Sequence, residues 1–542
     1  MQIHDYIVIG SGCTGAMAAQ TLVEAGVKVL MLDVAIDDNK YKSIFPDKNF
    51  VDIREQEKDQ SAYLLGEKFE GIQTEGIQAG DAKTGAQLTP SRKHLIEKVA
   101  ELLPIYSNSF FPMESLAYGG LGSGWGVGCC QFSKAEIEKV GLNYDEMLKG
   151  YQWVGDRIGI SGELNDIAPY TLGQLENYQP ALKTDANAQT LFKAYENKKY
   201  KLNENGFFMG RTSLAVITKE FNGRKPYHYQ DTDFYSDKNE SAYRPWITIE
   251  RLKKKSLFQL QNNAFVSSFS ENENEVEIHY YDLSSKEKKT VHAKKVIFAS
   301  GPLGTARVVL RSFNAYEQQL PLLCNPYTYI PCVQWRMLGK ELEKERSGFS
   351  QLSLFHDPNK NNFDVAMASI YSYRSLMLFK IVMESPLNFY DSRIIMNYLM
   401  PAFTIMGIHH PESYSDGKYL QLQKNANTLT NDKLYAEYKL RTEEKIRIKE
   451  REKKYIKAMR SLGCFAIKQI DPGMGASIHY AGTLPFNNKG KPFTLAHNGR
   501  LNGAKNVFVA DGSGFSYLPA KGLTFSLMAN AHNVAKNVLK NA

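Results

Sequence analysis

The amino-acid sequence predicts a mixed α/β protein of two domains. One is a parallel-sheet domain assembled discontinuously from both ends of the chain; the other is built on a mostly antiparallel sheet. Three observations predict this. A strand–turn–helix–strand pattern fills residues 5–33, a strand–turn–helix pattern closes the chain at 506–539, and between them lie runs of period-two alternation, the spacing of half-buried strands.

The chain has 542 residues, enough for more than one domain, and its 43% hydrophobic content is ordinary for a globular protein able to build a core without disulfides. The net charge of +8 is small beside 66 basic and 58 acidic residues. It suits an anionic ligand and does not call for nucleic acid. Cys13, Cys129, Cys130, Cys324, Cys332 and Cys464 form no metal-type C-x-x-C pair, so no metal site and a reduced, cytoplasmic protein are expected. A first strand starting at Asp5 leaves no room for a signal peptide. No run of about 18 apolar residues suggests an integral membrane segment. The most apolar stretch, 375–406, is broken by Lys380, Glu384, Asp391 and Arg393 and is expected to form buried strands.

At the N-terminus, Asp5 to Ile9 reads as a strand. Gly10-Ser11-Gly12-Cys13-Thr14-Gly15 follows, then a helical pattern from Ala16 to Ala25 and a second strand, Val27 to Leu32, ending in Asp33. This is a Rossmann-type dinucleotide fingerprint. Gly10 permits the tight turn, Gly12 lets backbone approach a pyrophosphate, and Gly15 lets helix and strand pack closely. The helix N-terminus offers free N–H groups to phosphate. Asp33 is placed to accept from a ribose hydroxyl and would repel a 2′-phosphate. The unit alone does not separate FAD from NAD.

At the other end, His479-Tyr480-Ala481-Gly482-Thr483 precedes a strand from Asn506 to Ala510. Asp511-Gly512-Ser513, Leu518-Pro519-Ala520-Lys521-Gly522 and a helical pattern from Leu523 to Leu539 follow. This ending resembles the glucose–methanol–choline (GMC) oxidoreductases, with their H-x-x-G-T element, D-[AG]-S strand end, proline-containing turn and final helix. Two inner segments agree. Lys295 to Gly301, continuing through Arg307, is similar to the family's strand-to-helix step. Ser115 to Gly128 is similar to its glycine-rich segment beside the flavin, with Gly119-Gly120-Leu121 and Trp125 closer to pyranose-oxidase-like members than to members with an asparagine here. Some of those bond FAD covalently through a histidine where this chain has Gly124, so the resemblance implies non-covalent FAD.

The resemblance also implies chemistry. A substrate alcohol would lose its hydroxyl proton to His479, and its hydride would pass to flavin N5, with oxygen, a quinone or a carrier as electron acceptor. Histidine suits the role because both protonation states are accessible near neutrality. The glycine-rich segment tilts the expected substrate toward a sugar or another polyhydroxylated alcohol. Implied cofactor contacts are Gly120 and Trp125 beside the flavin, Asp511 and Gly512 at its ribityl–phosphate end, Gly522 and Leu523 at its pyrimidine, and Val266 at the adenine. Gly522 stands where the family carries a second histidine or an asparagine. Three readings follow: Lys521 supplies the polar group or stabilises negative charge on the reduced flavin; a substrate-domain residue takes the role; or the protein is a lyase or isomerase without net redox turnover.

The FAD-binding domain is expected to comprise 1–142, 206–312 and 465–542, and the substrate-binding domain 143–205 and 313–464. The alternating segment 257–298 reads as a meander with a hairpin at Glu271–Glu275. Val333 to Met337, Gln351 to Phe355 and Arg393 to Met400 read as strands, and Lys433 to Leu462 as a charged helix covering them.

Overall fold

The computed structural model describes residues 3–37, 40–67, 78–79, 82–83, 89–372 and 388–540. Its first sheet runs in the order Ala264–Glu271, Val276–Asp282, Glu287–Phe298, Ile3–Ile9, Val29–Leu32, Phe258–Gln261. The strand Val507–Val509 joins it in parallel beside residues 296–298 of Glu287–Phe298. Ile3–Ile9 is parallel to both its neighbours. Alternate residues of these strands enter two cores. Tyr6, Val8, Val29 and Met31 pack with the helices Cys13–Glu24 and Thr524–Lys540. Ile7, Ile9, Leu30 and Leu32 pack with the helix Pro302–Ser312. Both faces are therefore covered, which explains the unbroken apolar runs of the parallel strands.

The N- and C-terminal helices share one face of this sheet, and Thr21 Oγ1 hydrogen-bonds His532 Nδ1 at 2.9 Å between them. The chain ends thus close one domain, as their sequence patterns implied.

The second sheet has six strands in the order Cys464–Ala466, Tyr327–Gln334, Phe403–His409, Ala366–Tyr371, Leu352–His356, Phe207–Arg211. Every pair in it is antiparallel. One face carries Ile330, Leu354, Ala368 and Ile408 against the helix Thr442–Ser461, whose Tyr455 hydroxyl sits 2.7 Å from the Ala366 carbonyl oxygen. On the opposite face, Tyr327, His409, Met367 and Phe355 stand in a row across four strands.

The structure differs from the sequence reading at several elements. Arg393 to Met400 lies in the helix Phe389–Leu399 and its following turn, not in a strand. Asn388 caps that helix through the Asp391 N–H at 3.0 Å, a local signal that outweighs the apolar composition. Of the rest of the apolar stretch, 403–406 does lie in a buried strand, Phe403–His409, and 375–387 lies outside the described residues. The charged helix starts at Thr442, because Leu434, Ala436 and Tyr438 alternate inward in the strand Asp432–Tyr438. Phe207–Arg211 pairs with Leu352–His356 and so belongs to the antiparallel sheet, not with the 206–312 segment. Its alternation fits either sheet, and only its partners decide between them. The Glu271–Glu275 hairpin is present, with Asn272 Oδ1 accepting from the Asn274 and Glu275 N–H groups.

Candidate functional site

The carboxyl ends of four parallel strands meet at one rim. Gly10 N–H donates to Leu32 O, Ala299 N–H to Ile9 O, and Ala510 N–H to Phe298 O, at 2.8–2.9 Å. Ligands of open parallel sheets bind at this end. Gly10 has φ +101°, and a Cβ there would sit 2.6 Å from Ala299 O. At Gly15 a Cβ would lie 1.9 Å from Gly10 O, so only glycine lets the helix approach the first strand this closely.

Gly12 is the N-cap of Cys13–Glu24. No side chain caps this helix, and no acid occupies its first turn. Its unfilled N–H groups and positive dipole end suit a diphosphate. Asp33, at the end of the second strand, accepts the Ser11 N–H at 2.6 Å. Burial pushes its carboxyl above the ordinary range against that hydrogen bond. Val266 lies on the strand Ala264–Glu271, at whose start the Asn263 and Ala264 N–H groups donate to Val34 O and Asp33 O, which brings it to the same rim.

The glycine-rich segment crosses this turn. Gly119 N–H donates to Ser11 Oγ at 2.8 Å, and a Cβ on Gly120 would lie 3.5 Å from Gly12 Cα. Trp125 is anchored by its indole N–H to Tyr243 O at 2.8 Å, and the Arg244 guanidinium donates to Trp125 O. A Cβ on Gly126 or Gly128 would meet nothing within 4 Å. An anion-accepting helix start, a strand-end carboxylate and glycine-bordered free space together fit a dinucleotide.

The closing segment is built onto the same place. Asp511 Oδ2 accepts from Thr305 Oγ1 at 2.6 Å, and its Oδ1 accepts the Ser513 N–H at 2.9 Å. Burial raises its carboxyl as well. Gly512 O accepts the Gly482 N–H at 3.0 Å, and Thr483 Oγ1 donates to Pro302 O, so the H-x-x-G-T element is pinned to the strand end and to the helix behind it. A Cβ on Gly522 would lie 3.1 Å from Gly128 O, and Leu523 is buried beside it.

Lys521 is fully buried. Its ammonium donates to Glu136 Oε2 at 2.7 Å and to Asn362 Oδ1 at 2.6 Å, 5.7 Å from the centre of the Tyr170 ring. The Glu136 carboxylate also caps its own helix at Ser133. The cation therefore has a compensating anion beside it.

His479 follows Ile478, a β-branched residue held at φ +59°. Such a conformation is rare and strained, and concentrates at functional sites. His479 Nδ1 lies 3.1 Å from Asn325 Oδ1. The Asn325 amide nitrogen donates to His410 O, Leu518 O and Pro519 O, so its carbonyl end must face the histidine. Nδ1 of His479 then carries the proton, and Nε2 keeps its lone pair with no hydrogen-bond partner among the described residues. Burial lowers the His479 pKa to about 4. His409 stacks on it with ring centroids 4.9 Å apart, and Tyr327 stacks on His409 at 4.5 Å. Burial, then the neighbouring His479, keeps His409 well below its usual pKa.

The sequence reading missed Asn325, Tyr327 and His409. They sit on or before strands of the second sheet, at least 70 residues from His479, in no recognisable motif. The available signal was the polar alternation of Asn325, Tyr327 and Tyr329 in an otherwise apolar run.

No protein-family model matches the sequence, and no curated protein matches it. Among solved structures the chain is similar to pyridoxine 4-oxidase from Mesorbium loti, with a TM-score of 0.59 and 12% identity over 98% of each chain. The chain therefore shares the mixed α/β, two-domain fold of that protein over its whole length.

Proposed function

We propose that the chain is an FAD-dependent oxidoreductase that oxidises a CH–OH group of a sugar-like or other alcohol substrate. The observation that carries this reading is His479, a neutral imidazole with one nitrogen fixed by Asn325 and the other free. The GMC-like motifs and the oxidase named as structural neighbour support the same reaction class.

In this reading FAD is held non-covalently, and when bound it supplies the hydride acceptor. The Gly10, Gly12 and Gly15 turn would hold the diphosphate, Asp33 the ribose and Val266 the adenine. Gly120 and Trp125 would lie along the flavin, Asp511 and Gly512 at its ribityl–phosphate end, and Gly522 and Leu523 at its pyrimidine. His479 Nε2 accepts the hydroxyl proton of the substrate. Asn325 holds the ring so that this nitrogen, and not Nδ1, is the base. His409, a second neutral imidazole, takes the place of the partner absent at Gly522 and orients the hydroxyl. Lys521 acts on the closing turn, its field at the flavin largely offset by Glu136.

The test is anaerobic reduction of the purified, FAD-loaded protein with a panel of sugars and alcohols. Bleaching of the visible flavin band, a property of the cofactor, is expected. A panel that leaves the band unchanged would falsify the oxidoreductase reading, and product formed without any acceptor would replace it with a lyase or isomerase.

A further inference from the structure

The hairpin at Glu271–Glu275 gathers a second group of ionisable side chains, away from His479. His292 faces Glu277 in register across the strands Glu287–Phe298 and Val276–Asp282, and Glu277 faces Ser270 on the strand beyond. Facing residues of neighbouring strands project to the same side of a sheet, so Ser270, Glu277 and His292 stand in a row. Glu275, two residues before Glu277 at the base of the turn, reaches the same place. One ligating atom from each of Glu275, Glu277 and His292 lies within 4.8 Å of the other two.

Each of the three keeps an atom without a protein partner. His292 is only 4% exposed; its Nδ1 lies 3.0 Å from Glu275 Oε1, while its Nε2 is buried and makes no hydrogen bond. A buried polar atom in that state calls for an explanation, and a bound ion or water is a common one. The Ser270 hydroxyl donates to Glu277 Oε2 at 3.1 Å. Glu275 Oε2 and Glu277 Oε1 have no donor among the described residues.

The charges do not cancel locally. No lysine or arginine among the described residues forms an ion pair with either carboxylate; their basic neighbours are His292, at 3.0 Å from Glu275, and His279, at 4.0 Å from Glu277. His279 is held away from the group, with Nδ1 3.0 Å from Thr290 Oγ1 and Nε2 3.2 Å from Ser270 Oγ. Two carboxylates this close repel each other, and a cation shared between them removes the repulsion.

The geometry points to a binding site for one divalent cation of the zinc class, with Glu275, Glu277 and His292 as its protein ligands. Two carboxylate oxygens and an imidazole nitrogen are a donor set for zinc and its first-row neighbours, whereas magnesium prefers oxygen and retains its water. Three protein ligands leave a coordination position for water. The half-buried glutamates, one on the hairpin turn, have the freedom to close on the ion. The strand runs back about 20 Å from Phe298 at the rim to His292, so the ion would fasten the hairpin to the central strands and stand apart from the reaction. No cysteine takes part, and strand register alone assembles the ligands. The inference is independent of the oxidoreductase reading, and its test contains no turnover step.

The experiment treats the purified full chain with a chelator, removes the chelator, and titrates zinc, manganese or magnesium chloride by calorimetry, with a thermal melt at each concentration. One zinc per chain is expected at this site, bound at least tenfold more tightly than manganese and raising Tm; magnesium should do neither. Glu277→Gln, whose amide oxygen can still accept from Ser270, should weaken zinc binding at least tenfold and remove the rise in Tm, and His292→Gln should do the same. Wild-type protein whose Tm zinc leaves unchanged overturns the inference. Variants that bind as many zinc ions as the wild type, equally tightly, overturn it too, because the zinc would then sit on other side chains. Magnesium bound as tightly as zinc also overturns it, since the imidazole would have no part. Should His292→Gln fail to fold, Glu275→Gln with Glu277→Gln carries the same comparison.

Discussion

Asn325 and His479 form a directed pair: the asparagine oxygen faces Nδ1 at 3.1 Å because its amide nitrogen is committed to the carbonyls of His410, Leu518 and Pro519. Two of those carbonyls belong to the closing turn of the chain. The proline-containing turn thus sets the histidine tautomer from a distance, through an asparagine that leads into the second sheet.

Removing the asparagine should therefore harm the chemistry more than the binding. Asn325→Ala is expected to lower kcat by about 10–100-fold, the usual cost of losing a group that orients a functional histidine, with a much smaller change in KM. Asn325→Asp should keep the orientation and raise the His479 pKa by placing a negative charge beside it. The ascending limb of the pH profile of kcat/KM would then move to higher pH. An Asp variant whose profile matches wild type argues against this coupling.

His479 itself should be separable from cofactor retention. His479→Ala is expected to lose about 10²–10⁴-fold in turnover, the range of a general base, while the flavin absorption of the purified protein stays. For the wild type, the pKa near 4 means that kcat/KM should not fall between pH 8 and about pH 5 on account of this base. A titration midpoint near 6.5 would show that the imidazole is solvated in solution.

Stability should follow the same sign. Burial holds His356, His479 and His532 at about 4, against about 6.5 in the unfolded chain, and lowers His410 too. Between these values the unfolded chain binds more protons. The stabilisation is full above about pH 6.5 and declines as pH falls toward 4. Thermal melts should show Tm dropping across that window. Replacing His532, which stacks on Trp153 at 4.0 Å, with Phe should flatten part of the drop.

The fold was legible where the signal is contiguous. Gly10, Gly12, Gly15 and Asp33 lie within 24 residues of one another, and each answers to a local steric or electrostatic demand. Asp511 and Thr305 lie in two motifs read separately, and the hydrogen bond that joins them was not legible. Arg393 to Met400 was misread because apolar residues dominate it, whereas the cap at Asn388 and the i, i+4 stripe decide the helix. Asn325 and His409 were not legible, because nothing in an alternating strand or the residues before it says which side chain will meet a histidine far along the chain. Lys521 was legible as a residue of the site, but its pairing with Glu136, 385 positions earlier, was not.

That pair makes the last prediction. Lys521 and Glu136 are both fully buried, 2.7 Å apart. Burial raises the Glu136 carboxyl, and the ammonium opposes that shift. Two charges taken out of water gain from each other only while both are present, so breaking one side leaves an uncompensated charge. Lys521→Met alone, or Glu136→Leu alone, is expected to cost about 3–5 kcal/mol in denaturant unfolding. The double variant should recover most of that loss, because neither charge then has to be desolvated. If Lys521 acts only by fixing the turn before Gly522, the double variant also regains much of the turnover lost in Lys521→Met. Recovered stability with turnover still absent would instead assign the ammonium a direct part in the reaction.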